Sequence, residues 1–287
     1  MIEVEHFLPA GNKLGEGPLW HPAEKALYWV DIEENCFHRY YPDTDKQESF
    51  QIGQPIGCLA FREKGGLVVA LRDGLGLWDW ETKSLEILTN PEEERVNARF
   101  NDGKVDRQGR LWCGTLGEDD QSALYRLDAD GTVHTMETGV TISNGIGWSP
   151  DEKTMYYTDS AIRTIYAYDF DSSSGAVSKR RIFVKVPLTE GFPDGLTVDS
   201  EGFIWSAQWD GWRVTRYDPD GKVERVIYLP VQRPTSCTFG GEGLNQLFIT
   251  SAWTGLNETD RREQPLAGDL FQVQTEVKGQ AVNYFKG

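Results

Sequence analysis

Six stretches of the chain share one pattern, and a single position in that pattern collects oxygen-bearing side chains. The stretches are EGPLWHPAEKALYW (16–29), GCLAFREKGGLVVA (57–70), NDGKVDRQGRLW (101–112), NGIGWSPDEKTMYY (144–157), DGLTVDSEGFIW (194–205) and TSCTFGGEGLNQLFIT (235–250). In each, a first run closes on an apolar residue, a polar or Gly/Pro-containing turn follows, and a second apolar run begins. The closing residues are Trp20, Phe61, Val105, Trp148, Val198 and Phe239. Four places earlier stand Glu16, Gly57, Asn101, Asn144, Asp194 and Thr235. Two carboxylates and two amides in one register are hard oxygen donors, suited to a divalent cation that keeps open coordination positions. Ligand hardness favours calcium or magnesium, with manganese, iron(II) or zinc as further occupants. No cysteine or histidine shares the register, which speaks against a tetrahedral structural zinc. Singly, each residue has an ordinary reading. Asp102-Gly103, Asn144-Gly145 and Asp194-Gly195 are common turn dipeptides, and Glu16 could sit in a solvated loop. Their coincidence in one register is what points to a site.

For residues this far apart in sequence to meet, the repeat must be a structural one. The six closing residues follow one another at intervals of 41 to 50 residues, the length of a four-stranded propeller blade. Further strand-like runs such as ALYRLDADG (123–131) and VTRYDPDG (214–221) end in Asp-Gly, a hairpin signal. Sustained 3.6-residue apolar periodicity is lacking, so helices should be few and short. The expected fold is an all-β, six-bladed β-propeller, a single domain over 1–287, with a metal site in the central channel. Closing the ring removes exposed sheet edges. The segment IEVEHFLP precedes the first repeat and is free to pair as an outer strand in the last blade. A two-sheet sandwich is the competing architecture, but sandwiches do not repeat at this period. The innermost strands are expected to begin near the six register positions, which would then ring the axis.

Composition narrows the function classes. With 45 acidic and 29 basic residues the net charge is −16, which repels phosphate backbones and argues against nucleic-acid binding. The four cysteines, Cys36, Cys58, Cys113 and Cys237, show no CxxC spacing and read as free buried thiols. The N-terminus lacks a basic start followed by an apolar run, and no stretch is long and apolar enough for a membrane span. These features lead to the expectation of a soluble cytoplasmic protein, a monomer or weak homo-oligomer, acting on a small molecule rather than on membrane. The histidines, His6, His21, His38 and His134, form no catalytic dyad in the sequence pattern.

The segments LGEGPLW (14–20), RFNDGK (99–104), SNGIGWSPD (143–151), MYYTDS (155–160) and FPDGLTVDSEG (192–202) appear in this order. In them the chain resembles the family of SMP-30, gluconolactonase and luciferin-regenerating enzyme, over nearly its whole length. The resemblance implies a divalent metal, calcium favoured, held by Glu16, Asn144 and Asp194 in the channel of a six-bladed propeller. It implies that Asn101 and Arg99 contact the substrate, with Glu118 a further acidic residue of the pocket. The expected activity is hydrolysis of sugar (aldono) lactones to aldonic acids. Asp194 is the expected general base, because one carboxylate oxygen can face the ion and the other a water. Three other readings compete. One is a metal-dependent phosphotriesterase or esterase, since a polarised P=O resembles a polarised C=O. The second is a non-enzymatic propeller that binds metal or a partner. The third is a strictosidine-synthase-like enzyme, which would not need this metal set. Arg99 and Asn101 favour a polyhydroxylated substrate.

Overall fold

The computed structural model describes residues 3–95, 97–117 and 121–287. Among the described residues, twenty-four strands form six four-stranded antiparallel sheets, and the expected six-bladed propeller is what the chain adopts. After β1 (Val4–Leu8), the first blade contains β2 (Gly15–His21), β3 (Ala26–Asp31), β4 (Cys36–Tyr41) and β5 (Lys46–Gln51). The second contains β6 (Ile56–Phe61), β7 (Leu67–Leu71), β8 (Gly74–Asp79) and β9 (Ser84–Thr89), and the third β10 (Arg99–Val105), β11 (Leu111–Leu116), β12 (Ser122–Leu127) and β13 (Val133–Val140). The fourth contains β14 (Ser143–Trp148), β15 (Thr154–Asp159), β16 (Thr164–Asp171) and β17 (Ala176–Lys185). The fifth contains β18 (Phe192–Val198), β19 (Ile204–Trp209), β20 (Arg213–Tyr217) and β21 (Val223–Tyr228). The last contains β22 (Pro234–Gly240), β23 (Gln246–Ser251) and β24 (Leu270–Gln274). Its fourth strand is β1, which pairs antiparallel with β24, Val4 opposite Val273 and His6 opposite Phe271. Helix is confined, among the described residues, to a 3-10 turn at Leu188–Glu190 and one short α-helix at Glu258–Glu263.

The burial pattern follows from position in the blade. The second strands β3 and β7 are buried along their whole length, whereas the outer strands β5 and β9 are mostly exposed or half-buried. Apolar side chains of one blade pack on the next; one cluster joins Trp112 and Leu124 of the third blade to Ile146, Trp148 and Tyr157 of the fourth.

The repeated Val-Asp, glycine turn and tryptophan have a local cause. Asp106 Oδ1 accepts from the backbone N–H groups of Gln108 and Arg110, while its Oδ2 accepts from Trp112 Nε1 at 2.9 Å. Asp199 repeats the arrangement with Glu201, Phe203 and Trp205 Nε1 at 2.9 Å. One carboxylate thus holds the turn between the first two strands and the indole behind it, satisfying buried donors that would otherwise cost about 1–3 kcal/mol each.

The C-terminal segment closes the ring a second time, at the end of the channel where the inner strands finish. Ser200 N donates to Lys278 O, and Gln280 Nε2 donates to the carbonyls of Trp148 and Val198. Asn283 Nδ2 donates to Val105 O, and the N–H of Phe285 donates to Phe61 O. The Phe285 ring is buried in the core shared by the second and third blades. Nothing in the repeat announces this strap, because it lies outside the repeated pattern.

Candidate metal centre

The six register positions fall at the start of the six innermost strands. Each is the second residue of its strand in β2, β6, β14 and β22, and the third in β10 and β18. Every inner strand also carries a register irregularity there, between Glu16 and Leu19, Ile56 and Cys58, Phe100 and Gly103, Ser143 and Ile146, Pro193 and Leu196, and Pro234 and Ser236. A bulge bends the strand and re-aims a side chain. The Asn-Gly and Asp-Gly dipeptides that read as hairpin turns are therefore strand bulges, a correction of their ordinary reading. The glycines serve close approach between blades. A Cβ on Gly57 would collide with the carbonyl oxygens of Phe100 and Asn101, and one on Gly195 with the Ser236 side chain.

Glu16, Asn101, Asn144 and Asp194 are each about 5% exposed. Asn144 Nδ2 donates to Ser160 Oγ at 2.9 Å, and Ser160 Oγ donates to Pro193 O at 2.6 Å. With its nitrogen committed, the amide presents Oδ1 alone. That Oδ1 and Asp194 Oδ1 are both buried with no hydrogen-bond partner. Orphaned buried acceptors carry the full cost of desolvation. Glu16 Oε2 accepts from Gly17 N at 3.1 Å.

Burial and like-charge repulsion dominate the electrostatics. Burial, then the Asp102 charge, pushes the Glu16 carboxyl up to about 8. Burial, then the charges of Glu16 and Asp102, holds the Asp194 carboxyl well above the usual carboxylate range; Arg99 opposes the rise at both. Asp102 is itself pushed up to about 6 by burial, against the pull of Lys104 and the Gly103 N–H. Two carboxyls raised by burial and like charge, with the unpartnered Oδ1 of Asn144, form a donor set suited to a hard cation. The residues present fit a divalent ion. No group of three or more His, Cys, Asp or Glu side chains is gathered for a metal among the described residues; here the amide of Asn144 would complete the set.

Asn101 is placed differently. Its Nδ2 donates to Ser143 O at 2.8 Å, and its Oδ1 accepts from Arg99 Nη1 at 2.7 Å. It is committed on both sides, which suits it to fixing Arg99 rather than to ligation. Arg99 Nη1 also donates to Phe100 O at 3.0 Å. Burial pushes its guanidinium down to about 10, against the pull of Glu16, Glu33 and Asp194. Arg99 lines a cavity of about 390 Å³ with Lys13, Glu33, Gln54 and Arg72. A larger cavity of about 680 Å³ is lined by residues that follow the ring, among them Asp102, Lys104, Leu196 and Ser236, and by the C-terminal strap. Arg99 does not line it, and neither lining includes Glu16, Asn144 or Asp194, so size does not mark the chemistry here. Glu118 lies outside the described residues.

Two residues that matter to this geometry carry no role in the sequence reading. Ser160 orients Asn144; it ends the segment MYYTDS, whose marker value is visible while its hydrogen bond is not. Asp102, which raises both carboxyls, stands beside a register position rather than on it. The histidines engage other partners: His6 with Asp269, His21 with the Glu24 N–H, His38 with Ser49 and His134 with Asp128.

Comparison with known proteins places the chain in a family. The family model described as SMP-30/Gluconolactonase/LRE-like region matches residues 14–253. Pentonolactonase XacC of Haloferax volcanii is 41% identical, over 97% of this chain and 96% of its own length. Regucalcin of Xenopus laevis is 38% identical, over 100% and 99%. The crystal structure of a calcium-binding protein, regucalcin, from Agrobacterium tumefaciens superposes with a TM-score of 0.95 at 28% identity, covering 100% of this chain and 98% of that one. The chain belongs to the SMP-30/gluconolactonase/LRE-like family of six-bladed β-propellers.

Proposed function

We propose that this protein is a divalent-metal-dependent hydrolase that opens sugar lactones to aldonic acids. The observation that carries the reading is the pair of orphaned oxygens, Asn144 Oδ1 and Asp194 Oδ1, buried in one ring with the Glu16 carboxylate. A relative named pentonolactonase and a solved relative described as calcium-binding support the substrate class and the ion. Glu16, Asn144 and Asp194 would hold the ion, with calcium favoured over zinc, magnesium, manganese or iron(II). When bound, the ion supplies Lewis-acid polarisation of the lactone carbonyl and positive charge where negative charge develops.

The chain's own residues do the rest. Arg99, fixed by Asn101, donates to the hydroxyls of the substrate and holds the ring against the site face. An Asp194 oxygen accepts a proton from the attacking water. The water oxygen bonds to the carbonyl carbon, the ring C–O bond breaks, and the departing ring oxygen takes up a proton to become the new hydroxyl. Burial of Glu16 and Asp194 keeps bulk water away and strengthens every charge interaction in the site.

The test is a panel of aldonolactones, aryl esters and phosphotriesters offered to the metal-loaded protein. The proposal expects aldonolactones to be opened with the highest kcat/KM. Preferential turnover of phosphotriesters or simple esters would replace it with the broader hydrolase reading, and turnover of none would leave a binding propeller.

A further inference from the structure

The segment that delivers Arg99 to the site is pinned by a buried carboxylate away from the ring. Glu92 is 5% exposed. It stands in the connection between β9 and β10, and its carboxylate accepts from three side chains. Arg95 Nη1 donates to Oε2 at 2.7 Å, while Thr115 Oγ1 and Tyr125 OH donate to Oε1 at 2.9 and 3.0 Å. The last two belong to β11 and β12, so the carboxylate ties the connection to the body of the third blade. Within the connection, Arg95 N donates to Glu92 O at 2.8 Å and Ala98 N to Arg95 O at 3.0 Å, which folds it into two successive turns. Arg95 reaches onward as well. Its Nη2 lies 2.8 Å from where a Cβ on Gly117 would stand, and Ala98 Cα is 3.5 Å from the same point. Gly117 follows Leu116, and Leu116 is the strand partner of Arg99. Glu92, Arg95, Gly117 and Arg99 are thus one contiguous unit.

We infer that the Glu92–Arg95 pair is the positioning unit for Arg99, and that it sets how firmly the site holds its substrate. The inference rests on the proposed lactonase reading for its substrate. A carboxylate with three donors, one of them charged, fixes geometry more strictly than a neutral contact. An arginine that must meet substrate hydroxyls loses much of its value when misplaced by an ångström. Neither Glu92 nor Arg95 is assigned to touch substrate; both act through Arg99.

The discriminating variant is Glu92→Gln. It keeps the shape and leaves an oxygen for the Thr115 and Tyr125 hydroxyls, but it turns a donor toward Arg95. KM for an aldonolactone should rise roughly three- to thirtyfold, the range of coupling expected for residues in one polar network. kcat should stay within about twofold, because the reacting groups are untouched. The double variant E92Q/R95Q, in which two amides can pair, should recover part of the lost KM. Amide hydrogen exchange at Arg95 and Ala98 should quicken in E92Q and slow again in the double variant. A lower Tm with unchanged KM makes Glu92 merely structural and overturns the inference, as does unchanged exchange at Arg95 and Ala98. If the parent protein itself opens no aldonolactone, the functional reading fails separately, and exchange at these two amides alone decides whether the pair holds the connection.

Discussion

The two buried carboxylates make a prediction in which a change at the site strengthens the fold. Replacing Glu16 by glutamine keeps the shape and removes the charge. In the metal-free protein the Glu16 carboxyl is raised from 4.5 to about 8 by burial and by Asp102. Between those values the folded chain binds a proton that the unfolded chain has released, so stability contributed at this site is intact below pH 4.5 and falls as pH rises toward 8. Keeping that carboxyl protonated at pH 7 costs at most about 3 kcal/mol, and the cost levels off above pH 8. Glu16→Gln should therefore match the parent near pH 4.5, exceed it by up to about 3 kcal/mol at pH 7, and change little beyond pH 8. Calcium at a thousand times Kd should reverse the order at pH 7, since binding then adds about 4.1 kcal/mol to the parent and less to the variant, which has lost a ligand charge. Urea unfolding at pH 5, 7 and 9, in EDTA and in excess calcium, reads all of this. A variant less stable than the parent in EDTA at pH 7, or a difference that ignores pH, would refute the reasoning about the ring.

Asp194→Asn preserves an oxygen ligand and removes the base. It should still bind an ion, more weakly, yet hydrolyse lactones about 10²–10⁴-fold more slowly even with the ion saturating. Recovery of the parent rate at high ion concentration would make Asp194 a ligand alone. Arg99→Ala should keep near-normal ion content in elemental analysis and lose roughly ten- to a hundredfold in kcat/KM for sugar lactones, the scale of a charged hydrogen bond of about 1.5–3 kcal/mol. Unchanged kcat/KM would remove Arg99 from the substrate contact. Deleting the chain through Pro9 removes β1 and bares the edge of β24. Calorimetry and light scattering should show a lowered Tm and self-association. An unaltered Tm would mean that the C-terminal strap suffices to close the ring.

The architecture is legible in the sequence because a propeller writes its period into the chain. A register read from Trp20, Val105, Trp148 and Val198 lands on the starts of the inner strands, and those starts carry Glu16, Asn101, Asn144 and Asp194. What the register conceals is local. Asp194-Gly195 has the composition of a hairpin turn, and only the packing of Ser236 against Gly195 shows that the glycine serves close approach between blades. The commitment of Asn101 to the Ser143 carbonyl of the next blade and to Arg99 on its own strand, and of Asn144 to Ser160 after the adjoining strand, depends on the local course of the bulged strands. Sequence spacing does not encode such contacts. The Glu92 connection and the strap of residues 276–287 lie outside the repeat, so nothing periodic reveals them.

The most direct test of the central claim is lactone opening by protein stripped with EDTA and titrated with calcium, followed in a pH-stat by the acid released. The account predicts that the stripped protein is inactive toward aldonolactones and that activity returns in step with one ion per chain. Full activity in EDTA, or stoichiometric binding of the ion without opening of any aldonolactone, would contradict it.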